Sequence, residues 1–266
     1  MLSASARVFL IRHGETDWTV GGKHSGTTDV PLSKAGERDA ESLKELVVGD
    51  GKLIDPTTVA RIYCSPRSSA RRTVEILGLG IHSHQNFFNR ETKSTSTTAP
   101  QLKAESVDPN IQITALLKEW DYGEYEGKTL WDINSLRKKQ GMPGESTAWN
   151  IWTDGCPGGE SPQCVAARVD ELIAEMKSVI ADESASWPSG QVAGARSRVK
   201  QDVVCVAHGQ VLTALALRWV GAPLSQGVMR LIFEPGGVAV LGFEDDDLSQ
   251  PAIVLGRRPG RSDRTL

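Results

Sequence analysis

Apolar residues run without interruption at Val8-Phe9-Leu10-Ile11 and again at Val203-Val204-Cys205-Val206-Ala207. A strand that meets water on one face alternates polar and apolar positions, whereas a strand buried on both faces does not. Both runs are therefore predicted to be central strands of a sheet covered on two sides. Val59 to Cys64 is predicted as another strand, and Ile111 to Leu117 is strand-like. Between these runs the period changes to that of a helix. Ser33 caps a predicted helix through Val48, and Pro66 to Leu77 forms a second with proline in its tolerated first turn. Leu130 to Gln140 is helical. Val165, Val169, Leu172, Met176 and Val179 recur at helical spacing across Pro162 to Ala181, behind Ser161 as cap. Val211 to Val220 carries no breaker and continues the series. Met229 to Phe233 and Val238 to Phe243 are predicted as strands of a hairpin meeting at Gly236-Gly237. Strands alternating with helices in this order predict an α/β fold, a three-layer α/β/α sandwich around a largely parallel central sheet.

Two polar stretches interrupt the pattern. Residues 82–110 are rich in Ser, Thr and Asn, and residues 182–200 mix Ser, Gly and Ala with basic residues. Both are expected to be surface insertions in one α/β domain spanning residues 1–256. The basic stretch 257–266 is expected to be a disordered tail. A chain of 266 residues is long enough to bury one sizeable core.

Charge and cysteine content narrow the class. A formal net charge of -3 gives no electrostatic footprint for nucleic acid or an anionic membrane. No apolar stretch approaches a membrane span, and the first residues lack the apolar core of a signal peptide. Cys64, Cys156, Cys164 and Cys205 show no metal-ligand spacing. They are expected to be thiols in a reducing, cytoplasmic compartment, with no metal and no cofactor.

The candidate chemistry lies where two of the apolar runs end. Val8–Ile11 leads into Arg12-His13-Gly14, and Val203–Ala207 leads into His208-Gly209 followed by a helix. Functional residues of parallel sheets gather at the carboxyl ends of strands, so two such histidines can share one pocket. Taken singly, either is a packed or capping histidine. Taken together, with Arg12 as a fixed positive charge, they fit a site for an anion. The loop Gly21-Gly-Lys-His-Ser-Gly-Thr-Thr28 follows the first histidine, and its backbone N–H groups can converge on an anion.

Arg12-His13-Gly14, the Ser65-Pro66 turn and His208-Gly209 together resemble the histidine phosphatase superfamily, in its phosphoglycerate-mutase-like branch. Leu117 to Gly127 and Trp149 to Cys156 resemble the fungal sedoheptulose-1,7-bisphosphatase group within it. The resemblance runs from Arg7 to about Leu255. It implies hydrolysis of a phosphomonoester through a phosphohistidine. His13 is then the nucleophile, Arg12 and His208 hold the phosphoryl oxygens, and Glu119 is the general acid. For that role Glu119 needs a pKa raised by its surroundings. The resemblance also puts Ser25 and Gly26 on the phosphate and His24 facing the substrate, with Ser65, Arg67, Tyr122 and Gly209 around it.

One position departs from the pattern. The resemblance calls for a second phosphate-clamping arginine four residues beyond Ser65, where this chain has Ser69. Arg67 and Arg71 are two residues to either side, and only a late helix start lets Arg67 fold back. The expected partner is a small phosphorylated metabolite, a sugar bisphosphate such as sedoheptulose 1,7-bisphosphate. Two alternatives stay open: a weakened or repurposed member that binds or transforms something else, and a phosphoglycerate mutase. A symmetric homo-oligomer is also left open.

Overall fold

The computed structural model describes residues 6–82, 106–140, 148–185, 201–226 and 230–256. The two expected insertions lie largely outside the described residues, and so do Met229 and the 257–266 tail.

The elements follow the order strand–helix–strand that the periodicity predicts. Strand β1 (Val8–Arg12) leads to a short helix α1 (Asp17–Val20) and to α2 (Lys34–Val47). Ser33 caps α2, its hydroxyl accepting from the Gly36 amide. Strand β2 (Val59–Cys64) precedes α3 (Ser68–Leu77), then come two-residue strands β3 (Ile81–His82) and β4 (Ser106–Val107) and the short β5 (Ile111–Ile113). The rest of the strand-like 111–117 stretch is a 3-10 turn, Ala115–Leu117. Helices α4 (Leu130–Lys139), α5 (Ile151–Asp154) and α6 (Pro162–Ala185) follow. Strand β6 (Asp202–Ala207) and helix α7 (Gly209–Trp219) repeat the strand–His–Gly–helix pattern of the amino end, and β7 (Val238–Phe243) and β8 (Pro251–Val254) finish the sheet.

Six strands form one sheet in the order β5-β2-β6-β1-β7-β8. The first four are mutually parallel, whereas β7 runs antiparallel to β1 and β8 antiparallel to β7. The sheet is thus mixed, with its parallel half carrying the site. Successive residues of the central strands point to opposite faces. Val8, Leu10, Val203 and Cys205 join the cluster under α6 and α7, while Phe9, Ile11, Val204 and Val206 join the cluster under α3. All eight are fully buried. This is the expected three-layer α/β/α sandwich, and the uninterrupted apolar runs arise because both sheet faces are covered.

The predicted hairpin at Gly236-Gly237 is not formed. Both neighbours of β7 in the sheet are already taken, by β1 and β8. Residues 230–234 instead cross the carboxyl end of β1 as irregular chain. There the Phe233 carbonyl accepts from Arg12 Nη1, and the Gly236 amide donates to the His13 carbonyl. A stretch that reads as a strand from its Leu231-Ile232-Phe233 run is therefore a wall of the site. No helix among the described residues is long and apolar enough to cross a membrane.

Candidate active site

Strands β1 and β6 are adjacent and parallel, with Arg12 in register with Ala207. Their carboxyl ends therefore deliver His13 and His208 to the same place, and the ring centroids stand 4.9 Å apart, edge to face. The close turn after His13 requires Gly14, although not through an unusual backbone angle. A Cβ there would sit 2.3 Å from the Gly36 carbonyl oxygen at the start of α2. Both histidines are buried, at 4% and 5% exposure, so each ring has been stripped of most of its water.

The hydrogen bonds fix the tautomer of His13. Nδ1 faces the Gly14 carbonyl at 2.6 Å, and a carbonyl only accepts, so Nδ1 carries the proton. In the neutral ring Nε2 then keeps its lone pair. Burial pushes the pKa of His13 down to about 4, with the Gly14 bond opposing and the Arg12 charge adding to the fall. The ring is neutral at physiological pH. On His208, Nε2 meets the Ser65 hydroxyl at 2.7 Å. Burial holds its pKa well below the ordinary histidine value, followed by the effects of His13, Arg67 and Arg12.

Arg12 donates through Nη1 to the Phe233 carbonyl at 2.5 Å, while its buried Nε has no hydrogen-bond partner. Its guanidinium lies against Gly209, where a Cβ would stand 3.3 Å from Cζ. Glu119 reaches the start of α7. Its Oε1 accepts from the amides of Trp120 and Val211, both at 2.9 Å, and Oε2 from that of Gln210 at 3.0 Å. Those donors favour the carboxylate, yet burial outweighs them and raises the Glu119 pKa above the usual carboxylate value.

These groups line a cleft of ≈ 270 Å³ that also includes Thr19, Gly22, Lys23, His24, Ser25, Tyr122, Gly209, Gln210, Thr213 and Leu231 to Phe233. His24 donates through Nδ1 to the Lys128 carbonyl, and its ring packs edge-on against Tyr122 and Trp149 at 4.9 and 5.2 Å. The Trp149 and Tyr122 segments thus form the aromatic wall behind His24. Trp149 is pinned in turn by its indole N–H on the Gly155 carbonyl.

Of the expected site residues, Arg12, His13, His24, Ser25, Glu119, Tyr122, His208 and Gly209 line the cleft; Gly26, Ser65, Arg67 and Ser69 do not. Ser65 is fully buried and acts on the cleft through His208. Ser69 is buried in the first turn of α3. Arg67 is the residue before α3, so the helix does begin late, and its charge weighs on His208 ahead of that of Arg12. Arg72 is committed to Glu37 and Glu75.

The glycine-rich loop does converge on an anion, but the anion is the chain's own Glu126. Its carboxylate accepts from the amides of Gly26, Thr27 and Thr28 at 2.9–3.2 Å. The Gly26 amide is therefore occupied. Its lack of a side chain serves packing instead, because a Cβ would fall 1.9 Å from the Trp120 carbonyl oxygen. Gly26→Ala is expected to destabilise the protein by about 2–3 kcal/mol through overpacking, read as a lower urea midpoint at unchanged slope. Glu126→Ala leaves three loop amides without their acceptor. It should lower stability by about 1–3 kcal/mol and raise KM, since Ser25 and His24 belong to the loop that this carboxylate holds. Glu126 and the 231–233 wall had no signature in the sequence.

Residues 8–87 and 92–186 match the histidine phosphatase superfamily (branch 1). The chain belongs to that superfamily. The histidine phosphatase is 30% identical to the sedoheptulose 1,7-bisphosphatase of Saccharomyces cerevisiae, over 96% of this chain and 94% of the relative. It is 32% identical to an acid phosphatase of Mycobacterium tuberculosis, over 90% and 87%. Among solved structures, an open-reading-frame product of Mycobacterium tuberculosis superimposes with a TM-score of 0.63 at 27% identity, covering 94% of this chain and 96% of that one. Membership and these relatives make the chain a phosphatase acting on phosphomonoesters.

Proposed function

We propose that this histidine phosphatase hydrolyses a sugar bisphosphate, such as sedoheptulose 1,7-bisphosphate, through a phosphohistidine at His13. The observation that carries the reading is the locked tautomer. His13 donates from Nδ1 to the Gly14 carbonyl and is neutral, so Nε2 offers a lone pair in a cleft that also holds a guanidinium. Nε2 attacks phosphorus, the bond to the sugar oxygen breaks, and Glu119 supplies the proton that oxygen takes up. The Glu119 carboxylate then removes a proton from water as its oxygen attacks the phosphohistidine. Phosphate leaves, and both residues regain their starting states. Arg12 and the Nδ1 side of His208 offset the charge on the phosphoryl oxygens. Arg67 adds positive potential at His208 without lining the cleft.

The substrate class draws support from the yeast relative, a sedoheptulose 1,7-bisphosphatase matched over 96% of this chain. Four free thiols fit a cytoplasmic protein. The test is phosphate release from sedoheptulose 1,7-bisphosphate, fructose 1,6-bisphosphate and phenyl phosphate. A kcat/KM at least about tenfold higher for one of the bisphosphates is expected, with an acid-labile phosphoenzyme trapped during turnover. Turnover that survives unchanged in His13→Ala overturns the reading.

A further inference from the structure

The cleft holds two cations at different depths. Arg12 is half-buried on the floor beside His13, whereas Lys23 is exposed at the rim. We infer that Lys23 determines specificity by anchoring a second phosphate of the substrate while Arg12 holds the one being transferred. This deepens the proposed function and rests on it.

Four observations carry the inference. The backbone of Lys23 is fixed on both sides: its amide donates to the Trp18 carbonyl, and it forms an antiparallel bridge with Thr129. Its ammonium stands 5.9 Å from the centre of the Trp18 ring, so the aliphatic stem is supported while the charged end stays open. Among the described residues no carboxylate lies within ion-pair distance of it. Asp132, the acidic residue of the adjoining helix cap, accepts through Oδ2 from the Thr129 amide and hydroxyl, and the Lys23 charge reaches it only at longer range, as a minor cause of its lowered pKa.

The neighbouring donors are also occupied. The Thr19 hydroxyl donates to the Thr16 carbonyl, and the Gly22 amide to that of Thr19. Lys23 is thus the cation on this rim, with Ser25 beside it as a neutral donor, and the cleft's other cation, Arg12, is already assigned to the reacting phosphate. Leu231 and Ile232, which also line the cleft, bring apolar side chains. A compact ammonium is suited to a dianionic phosphate at variable orientation, in contrast to the two-point grip of a guanidinium.

The experiment compares the wild type, Lys23→Gln and Lys23→Arg on fructose 1,6-bisphosphate, 2-phosphoglycerate and phenyl phosphate. In Lys23→Gln the ratio of kcat/KM for the bisphosphate to that for phenyl phosphate should fall about tenfold, through KM rather than kcat. Lys23→Arg should restore it to within about threefold, and added salt should erode the wild-type preference. An equal loss on all three substrates would mean that Lys23 only shapes the loop, and would overturn the inference. A larger loss on 2-phosphoglycerate than on the bisphosphate would assign the anchor to a carboxylate and overturn it as well. Calorimetric binding of fructose 1,6-bisphosphate in a His13→Ala background gives a readout free of turnover. Affinity about tenfold weaker on adding Lys23→Gln supports the anchor; equal affinity overturns it, whatever becomes of the hydrolase reading.

Discussion

Replacing His13 with alanine is expected to lower kcat/KM for phosphomonoesters by a factor on the order of 10⁴ or more, and to abolish the trapped phosphoenzyme. That factor corresponds to about 5.5 kcal/mol of transition-state stabilisation. The size follows from the loss of the two-step route itself, since His13 directly follows Arg12 at the end of β1 and its locked tautomer leaves Nε2 free to attack. His208 is the nearest alternative, but its Nε2 is held by Ser65. His13→Ala should therefore not be rescued by its neighbour. A residual rate within about tenfold of the wild type would remove His13 from the chemistry.

The same residue carries a signature in stability. With a folded pKa of about 4 against an ordinary 6.5, His13 binds its proton more readily in the unfolded chain. Unfolding is thus favoured by protons between those two values, and stability should rise with pH from about 4 to 6.5 and change little on this account outside that window. The contribution is of order 3 kcal/mol. His208, shifted in the same direction, adds to it. Urea unfolding of His13→Ala across that range should show a shallower slope than the wild type, together with higher stability at pH 5. A slope equal to that of the wild type would mean that the folded and unfolded chains hold the His13 proton equally, and that burial does not depress its pKa.

What could be read from the chain depended on whether a signal was local. The β1 and β6 runs announced themselves because full burial leaves no polar position, and Arg12-His13-Gly14 and His208-Gly209 stood at their ends. Gly14 owes its place to a distant contact. It is needed for the approach of Gly36 from α2, and no reading of its immediate neighbours contains that contact. The Arg12 partner, the Phe233 carbonyl, is 221 residues away, and the Glu126 carboxylate is 100 residues from the Gly26 amide it accepts from. A backbone amide or carbonyl has no residue-type signature, so such partners cannot be seen before the chain is folded. The stretch 230–234 failed for another reason. Its Leu231-Ile232-Phe233 run suits a pleated surface, but the sheet had no vacant edge beside β7, and tertiary pairing overrode local preference.

Glu119→Gln is the second large effect, and its size should depend on the leaving group. A carboxyl able to give a proton to the departing oxygen is worth about 10²–10⁴-fold when that oxygen is a sugar alkoxide. It should be worth far less for 4-nitrophenyl phosphate, whose phenolate leaves without help. Glutamine keeps the shape of the side chain but cannot pass a proton on, and its NH₂ group would confront amides of Trp120, Gln210 and Val211 that now point at carboxylate oxygens. Part of any loss is therefore structural. Comparing the two substrates separates the parts, because misplacement slows both and lost proton transfer slows only the sugar phosphate. The pH profile gives an independent check. Burial raises the Glu119 pKa, so the acid form persists to higher pH than for an ordinary carboxyl. Sugar phosphate turnover should rise as His13 loses its proton near pH 4 and fall above the raised Glu119 pKa. In Glu119→Gln the alkaline fall should vanish while the acid rise stays. If instead both substrates slow equally and the alkaline limb survives, Glu119 holds the start of α7 in place and the proton comes from another group.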